Sequence, residues 1–496
     1  MEATGSKRGI SRRQFTMGAA ATGAAAVAAG AGGLTAAEGA RRRQRRDRAD
    51  RRNIALVGFD DLQARSAYQP LVEFNPIARR WIAYVGHHAG LAPNPLTDTD
   101  ENNGTSLIDV TNPRRPRYLF HIPGAPGAGE GGGAQMVRIA NGSELPSGDS
   151  GKVYLLRAAN SSGPEGSSHQ IWDVTDPREP TLLTTVVSGL VDTHKSWWEP
   201  NTGIAYLVSG VPGWRAERMT QVFDLSDPAN PVHIRDFGLV GQEPGSIGDV
   251  PTDLHGPISV PERNRIYFGY GTSSNGYLQI VDREKLLTGP AEPTPENLLF
   301  PQVSRLNLSS QWGAHTTFPV LGMTVAGDTR FEDGGLRDIV VISNESTANE
   351  CAEDHQMVFL ADITDETTPQ IISNYHVTES SGDFCSRGGR FGAHSSNENM
   401  TSIYYKKIVF VTYFNAGVRA IDIRNPFTPK EAGYYIPEVT ENTDPRDGKI
   451  AIQSNNVEVD NRGYIYVVDR ANTGMHILRP TGRLAAIASS ATAIRS

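Results

Sequence analysis

The chain has 496 residues, of which 38% are hydrophobic and 8% aromatic, enough to form a sizeable core. Its 51 glycines and 31 prolines are typical of a protein with many turns. Residues 1–52 contain 12 basic residues, and the rest of the chain has 35 basic and 51 acidic residues, a net charge of −16. Because so acidic a body repels a phosphate backbone, the composition excludes nucleic acid as a partner.

The first 37 residues are predicted to be a twin-arginine export signal. The segment SRRQFTM at 11–17 precedes an Ala/Gly-rich stretch that is too weakly hydrophobic for a membrane anchor. The expected partner is therefore the twin-arginine export machinery, and the expected location is periplasmic or secreted. The alternative is a disordered Ala-rich tail. Residues 38–52, which include RRRQRRDRADRR, are predicted to be a basic disordered leader, although such a leader could also bind an anionic surface.

Residues 53–480 are predicted to form an all-β, seven-bladed propeller of four-stranded antiparallel blades, followed by a C-terminal tail at 481–496. Repeats of strands and turns with a period of about 40–60 residues are typical of propellers. Seven β-branched and aromatic runs predict the buried middle strands. These runs are RWIAYVG, KVYLLRA, GIAYLVS, RIYFGYG, DIVVISN, KIVFVTY and YIYVVDR.

A turn motif containing Asp and Pro recurs after five of the predicted strands. It reads IDVTNPRRP, WDVTDPREP, FDLSDPANP, ADITDETTP and IDIRNPFTP. We expect the Asp side chain to cap a turn and the Pro to end strand pairing. The last repeat lacks an outer strand and the run NIALVGF at 53–59 lacks a partner. We therefore expect 53–59 to close the ring as the outer strand of blade 7.

These motifs resemble those of the LVIVD-repeat family, whose propeller-type repeats contain I-x-D-[VI]-[TS]-x-P. The resemblance extends over residues 53–480 and implies a propeller. It implies little about chemistry, because the family name describes only a repeat.

Seven polar side chains occupy one aligned position at the start of the predicted inner strands. Four consecutive repeats have His194, His255, His315 and His394, and the others have Gln69, Gln135 and Gln453. Because inner strands line the channel of a propeller, we expect these side chains to meet at one mouth of it. Clustered imidazoles predict one transition-metal ion, with iron or copper favoured over zinc or manganese. The alternative is a hydrogen-bonded polar channel without an ion.

Other polar residues are predicted to lie on the same face. Asp192 and Asp253 precede two of the histidines by two residues and are candidates to accept hydrogen bonds from them. The candidate catalytic residues are Glu345, Arg157 and Tyr413, which end or follow middle strands. Glu345 is a candidate base or carboxylate ligand. The alternative for each residue is a structural role.

The two cysteines, Cys351 and Cys385, are predicted to form a disulfide. Cys351 follows the middle strand of blade 5 and Cys385 precedes the inner strand of blade 6, and these two kinds of loop emerge on one face of a propeller. The bond would hold a lid over the metal-bearing face. Two free thiols or thiolate ligands are the alternatives, and the absence of a CxxC motif argues against a cysteine metal site.

The functional hypothesis is an exported metalloenzyme acting on a small organic substrate. An oxidoreductase or oxygenase is favoured, since a four-histidine axial site is similar to that of the carotenoid cleavage oxygenases, and selenium-binding-type thiol oxidases offer a second analogy. A metal-assisted lyase or hydrolase is the second hypothesis. A binding module without catalysis is the third. The sequence has no nucleotide-binding glycine motif or haem-attachment motif.

Overall fold

The computed structural model describes residues 50–129, 131–272, 274–325, 335–446 and 448–490. They form seven antiparallel blades arranged as a β-propeller, which confirms the predicted fold. The predicted export signal at 1–37 and residues 38–49 of the predicted leader lie outside the described residues. Within the described ranges, no helix is long and apolar enough to cross a membrane.

Blades 1 to 5 each use four strands that follow one another along the chain, from the channel outward. Blade 1 contains Ala67–Asn75, Arg80–His88, Thr105–Asp109 and Arg117–Ile122. Blade 2 contains Val137–Asn141, Val153–Ala159, Ser167–Asp173 and Thr181–Leu190. Blade 3 contains Trp197–Trp198, Ile204–Ser209, Met219–Asp224 and Val232–Phe237. Blade 4 contains Leu254–Val260, Arg265–Tyr270, Tyr277–Asp282 and Gln302–Asn307, and blade 5 contains Thr316–Met323, Arg337–Ser343, Val358–Asp362 and Gln370–Tyr375.

The last two blades take their outer strands from the N-terminal part of the described chain. Blade 7 contains Ser454–Val459, Ile465–Asp469, Met475–Pro480 and, outermost, Ile54–Asp60. Blade 6 contains Ile408–Thr412, Val418–Asp422, Lys430–Ile436 and, outermost, Asp50–Arg52. The innermost position of blade 6 is taken by residues 394–397, with a bridge from Ser396 to Val411. The ring is therefore closed by the N-terminal strand, as predicted.

The closing region is larger than the sequence indicated. Residues 50–52, which the sequence assigns to a disordered leader, pair antiparallel with residues 434–436 of blade 6. Two side-chain contacts accompany this pairing, an ion pair of Arg52 with Glu431 and a hydrogen bond from Tyr434 to Asp50. In the predicted tail, helix Gly482–Ser489 buries Leu484 and Ile487 in the apolar cluster that also contains Ile54. Both chain ends of the propeller are thus fastened to blades 6 and 7.

The remaining helices and short strands lie in the connections. Among the described residues, the other α-helices are Arg283–Thr288, Pro295–Leu299 and Phe384–Arg387. The 3-10 helices are Leu62–Ala64, Pro261–Arg263 and Glu379–Ser381. Two small hairpins pair Leu91–Asn94 with Thr99–Asn102 and Pro445–Arg446 with Lys449–Ile450, and Gly133–Ala134 adds to strand Arg80–His88 of blade 1.

The repeated Asp acts as a turn cap, as the motif predicts. The carboxylate of Asp109 accepts the backbone N–H two residues later at 2.9 Å, and Asp173 and Asp362 do the same at 2.9 Å. This bond fixes the turn between the third and fourth strands. Because the turn is the same in successive blades, the blades share one geometry and bring equivalent residues to the channel.

Candidate metal centre

Equivalent backbone bonds hold three of the histidines at the channel end of their blades. Each donates its backbone N–H to a carbonyl on the second strand of its own blade. The pairs are His194 with Val208 at 2.8 Å, His315 with Ser343 at 2.9 Å and His394 with Thr412 at 3.0 Å. His255 is the second residue of strand Leu254–Val260. The side chains of blades 3 to 6 therefore enter the channel at one level.

The four imidazole rings form a continuous row in the interior. The ring centroids are 4.6 Å apart from His194 to His255, 3.6 Å from His255 to His315 and 4.3 Å from His315 to His394. None of the four residues is more than 2% exposed. The structure thus brings together all four histidines that the sequence singled out.

The possible donor atoms are not equally close to one another. One group consists of His255, His315 and Glu345, whose ligand atoms all lie within 4.8 Å of one another. His194 joins through a distance of 2.9 Å between its Nε2 and that of His255. His394 lies at the other end, with its Nε2 3.6 Å from Glu345 Oε1. The arrangement is a three-residue centre extended by one histidine on each side.

All four imidazoles are neutral at physiological pH. Burial lowers the pKa of each well below its usual value, and the charges of neighbouring basic side chains lower it further. Although Glu345 Oε2 lies 3.9 Å from His315 Nε2, burial outweighs this carboxylate. Each ring therefore has one nitrogen with a free lone pair, the state that binds a metal ion.

Nδ1 has a hydrogen-bond partner in two of the rings, and in His394 this partner fixes which nitrogen carries the lone pair. His394 Nδ1 lies 2.5 Å from the Asn455 carbonyl, so Nδ1 carries the proton and Nε2 the lone pair. His394 Nε2 has no hydrogen-bond partner among the described residues. His315 Nδ1 lies 2.9 Å from Thr316 Oγ1, which already accepts a bond from Lys195 Nζ. The Thr316 hydroxyl can donate its own hydrogen to His315 Nδ1 or accept a second one from it, so this contact is compatible with either tautomer of His315.

The residues that follow three of the histidines form a second polar layer of Lys195, Thr316 and Ser395. Lys195 reaches Thr316 at 2.9 Å and also forms an ion pair with the buried Glu398. A Cβ at Gly256 would lie 2.7 Å from Lys195 Cγ and Cδ, so only glycine leaves room for this lysine. Burial alone would raise the pKa of Glu398, but the charges of Lys195 and Arg138 hold it below its usual value.

A cavity of about 410 Å³ opens onto His194 and His255. Four carboxylates and two guanidinium groups line it, together with small polar residues. The charged residues are Asp192, Glu217, Asp253, Glu345, Arg218 and Arg390. Its volume is within the range of small-molecule sites. The histidines therefore have a polar route for a small molecule.

The disulfide is present and lies beside this cavity. Cys351 and Cys385 are bonded, with their Cα atoms 5.2 Å apart, as predicted. The segments that they join are also paired at Asn349 and Arg390. Arg390 Nη1 binds Glu345 Oε1 at 3.1 Å. The bond thus anchors the segment that brings a positive charge to the candidate base.

One residue of the site was missed by the sequence analysis. The Tyr68 hydroxyl lies 3.1 Å from His194 Nε2 and 3.5 Å from the Nε2 atoms of His255 and His315. The ring of His88 lies 5.1 Å from that of Tyr68. Strand Ala67–Asn75 has a register shift between Ala67 and Pro70, so an alignment on Gln69 selected the neighbour of the residue that reaches the histidines.

The three glutamines lie in the interior but play different parts. Gln69 accepts a bond from Val137 N and donates to Glu398 at 3.5 Å. Gln453 accepts the backbone N–H of Arg390 at 2.8 Å and so positions that loop. Gln135 is fully buried between Gly133–Ala134 and Val137.

Asp192 and Asp253 do not accept hydrogen bonds from the histidines. Asp192 binds the guanidinium of Arg218, and Asp253 accepts the backbone N–H groups of Glu217 and Arg218. The Nδ1 atoms of His194 and His255 have no hydrogen-bond partner among the described residues. The predicted carboxylate support is corrected in this way, because the Arg218 guanidinium takes up Asp192 and two backbone N–H groups take up Asp253. Both aspartates still line the cavity.

The contacts of Arg157 and Tyr413 are typical of residues with a structural role. Arg157 donates to the carbonyls of Ile122 and Pro123 and packs on Trp172. Tyr413 is fully buried in an apolar cluster and contacts Phe391. Within the described part of the chain, no hydrogen bond or ring contact joins either residue to the four histidines. Of the three candidate catalytic residues, the structure brings only Glu345 to the centre.

Comparison with known proteins adds only distant structural likeness. No family model and no curated protein matches the chain. Among solved structures, hydrazine synthase of Kuenenia stuttgartiensis is 14% identical, with 69% of this chain and 78% of that chain covered and a TM-score of 0.40. The periplasmic gluconolactonase of Pseudomonas aeruginosa is 11% identical, with 78% and 100% covered and a TM-score of 0.45. A hypothetical selenium-binding protein of Sulfolobus tokodaii is 12% identical, with 84% and 92% covered and a TM-score of 0.45. Such likeness transfers no ligand or activity to this chain.

Proposed function

We propose that this chain is an exported metalloenzyme that oxidises a small organic substrate. In this proposal His194, His255, His315 and His394 bind one transition-metal ion, either iron or copper. The observation that carries the proposal is the convergence of neutral, buried imidazoles, with two Nε2 atoms only 2.9 Å apart. Ligand atoms that share a first-row metal ion at about 2.0–2.2 Å are spaced in this way.

The donor set fits a metal ion better than it fits a plain polar channel. His394 Nε2 is a buried acceptor without a hydrogen-bond partner among the described residues, and its tautomer is set by Asn455. A buried polar atom left unpaired costs about 1–3 kcal/mol. An ion bound at this nitrogen would remove that cost. Imidazole suits iron, copper, zinc and nickel, and zinc or manganese remain the alternatives to iron and copper.

The reaction is supported by the residues around the histidines. A bound redox-active ion would supply electron transfer and an open coordination position for a small molecule. The cavity of about 410 Å³ would hold the substrate, and Arg218 and Arg390 would orient its polar groups. Glu345, which lines the same cavity, would accept the proton that the substrate releases.

A metal-assisted lyase or hydrolase is the second candidate. The observation that favours it is the position of Glu345, which lies 3.9 Å from His315 and also faces the cavity. A carboxylate beside a metal ion can remove a proton from a substrate while the ion stabilises the resulting anion. A metal without redox activity would select this candidate.

The proposal also includes export of the folded protein from the cytoplasm. The twin-arginine pattern at 11–17 predicts transport of a folded protein, and the Cys351–Cys385 disulfide is typical of an oxidising compartment. Membership in the LVIVD-repeat family, to which the turn motifs point, is part of the same proposal. A periplasmic or secreted location follows.

The test is elemental analysis of protein exported by its own signal, with His315→Ala and His233→Ala variants prepared alongside. His233 is a suitable control because its side chain is 46% exposed on an outer strand. We expect about one metal ion per wild-type chain and the same in His233→Ala. Binding in His315→Ala should weaken by more than the roughly 10- to 100-fold that is typical when only a group supporting a ligand is lost. Metal-free wild-type protein that also cannot be loaded would leave only the non-catalytic binding module.

A further inference from the structure

We propose that Tyr68 is an additional ligand of the same ion and binds it through its phenolate oxygen. The inference rests on the proposed function, because it needs the histidines to bind a metal. It goes further by adding an anionic oxygen to a ligand set otherwise made of four imidazoles. Tyr68 comes from blade 1, so the centre would join the first blade to blades 3 to 6.

The distances from the Tyr68 oxygen to the histidine nitrogens match the distances between ligands of one metal ion. It lies 3.1 Å from His194 Nε2 and 3.5 Å from the Nε2 atoms of His255 and His315. Ligands about 2.1 Å from one ion are separated by roughly 3.0 Å in octahedral geometry and roughly 3.4 Å in tetrahedral geometry. The oxygen is therefore spaced from three nitrogens as a co-ligand would be.

Hydrogen bonding alone accounts for these contacts less well. A phenol has one hydrogen and can donate it to only one of the three nitrogens. Either imidazole of the His194–His255 pair could donate to the oxygen through Nε2–H, but these two Nε2 atoms lie 2.9 Å from each other and compete for the same hydrogen. A shared ion explains all three short distances at once.

The Tyr68 ring is held in place by three other blades. It is 2% exposed and packs with Met136 and Ala158 of blade 2. Its ring also meets that of His394 at 5.9 Å, and its backbone carbonyl accepts a bond from Asn455 Nδ2 of blade 7 at 3.1 Å. An ordered side chain loses little entropy when it binds an ion, so the oxygen is preorganised as a ligand.

Ligation by the Tyr68 phenolate would affect which metal ion and which oxidation state the site prefers. When the Tyr68 oxygen binds, its proton leaves to solvent, and one negative charge is added to a set of neutral imidazoles. An anionic oxygen with several imidazoles suits the ferric or cupric ion among the metals considered above. The tyrosinate would thus favour the higher oxidation state of the bound ion.

The test uses the full chain freed of metal and titrated with cupric ion. Wild type is compared with Tyr68→Phe and with Tyr413→Phe, which removes a hydroxyl buried in the apolar cluster described above. We expect a visible phenolate-to-copper charge-transfer band in wild type and in Tyr413→Phe, and none in Tyr68→Phe. We also expect Tyr68→Phe to bind copper at least roughly 10-fold more weakly, at unchanged saturating stoichiometry.

Resonance Raman spectra of copper-loaded wild type provide a second measurement that needs no variant to fold. Enhanced tyrosinate ring modes would support ligation. Copper binding without the band or these modes, with equal affinity in Tyr68→Phe, would overturn the tyrosine ligand and leave the histidine site intact. A wild-type protein that binds neither copper nor any other metal tested would overturn both proposals.

Discussion

The four imidazoles differ in how the protein supports them. His315 and His394 have partners for Nδ1 in Thr316 and Asn455, and the Asn455 carbonyl fixes His394 Nε2 as an acceptor. The Nδ1 atoms of His194 and His255 lack such partners among the described residues, and both rings border the cavity. We infer that the groups bonded to His315 and His394 set the affinity of the centre, while His194 and His255 respond to what occupies the cavity.

Thr316→Val should weaken metal binding without changing the side-chain volume. The substitution removes the oxygen that accepts from Lys195 and pairs with His315 Nδ1. Loss of such a partner typically lowers metal affinity roughly 10- to 100-fold. Competition with a chelator of known affinity would measure the change.

The control for this prediction is Thr317→Val, because Thr317 is also buried but donates to the Tyr267 carbonyl. The control should lose about 1 kcal/mol of stability and keep its affinity. Equal affinity in both variants would exclude a role for Thr316.

At the scale of strands and loops, local patterns were predictable and deviations from them were not. The Asp turn caps and the β-rich runs depend on neighbouring residues, so five motifs and seven runs were sufficient to predict the blades. Tyr68 was missed because a register shift in strand Ala67–Asn75 moves it to the histidines in place of Gln69. The role of Asp192 was not predictable because Arg218, 26 residues away, binds its carboxylate.

Removal of the disulfide by Cys351→Ser with Cys385→Ser should lower the free energy of unfolding by about 3–4 kcal/mol. This is the chain-entropy value for a bond across a sequence separation of 34. Urea unfolding of the variant and of oxidised wild type would measure it. Hydrogen exchange should also become faster near Arg390, whose segment the bond anchors beside Glu345.

Reduced wild-type protein is the matched control for that variant. It should unfold at the same urea concentration as the double serine variant, because both lack the same constraint. If the double variant and oxidised wild type have equal stability and equal exchange near residue 390, the disulfide neither stabilises the fold nor orders this segment.

Closure of the ring is tested by Ile54→Ala. Ile54 is 2% exposed and packs with Leu478 and Leu484 at the junction of blades 6 and 7. Truncation of a buried isoleucine costs about 2–5 kcal/mol. Leu56→Ala on the same strand is the control, since Leu56 is 42% exposed and should lose less than about 1 kcal/mol. Similar urea midpoints for the two variants would show that the closing strand adds little to stability.

At the scale of the whole molecule, apolar blades surround a polar axis that contains many buried titratable groups. Burial lowers the pKa of eight histidines. The pKa falls to about 4 in His476 and to about 3 in His169, and it falls well below the usual value in the four histidines of the candidate metal centre. The eight are His87, His121, His169, His194, His255, His315, His394 and His476. Burial also raises the pKa of four carboxyls, that of Glu458 to about 8, that of Glu73 to about 7, and those of Asp60 and Asp469 to about 6.

The two sets act on stability in opposite directions. A histidine with a lowered pKa stays neutral in the folded protein while its unfolded form gains a proton below about pH 6.5, so its contribution is lost as the pH falls. A carboxyl with a raised pKa holds its proton in the folded state while its unfolded form has lost it. Its contribution is therefore full below about pH 4 and is lost as the pH rises through its folded value. Because the eight histidines outnumber these four carboxyls, acid should destabilise the protein overall.

We therefore expect the free energy of unfolding of the metal-free protein to be highest near neutral pH and to fall steeply below about pH 6.5. Each buried histidine contributes a slope of about 1.4 kcal/mol per pH unit when fully developed, so a total of several kcal/mol should be lost between about pH 6.5 and 5. Urea unfolding at closely spaced pH values, with a chelator present, would measure this loss. Metal-loaded protein should show a still steeper decline, since protons compete with the ion for imidazole nitrogen. A stability that is constant or rising over that interval would show that the histidines are already protonated in the folded state, and neutral imidazole ligands would then be excluded.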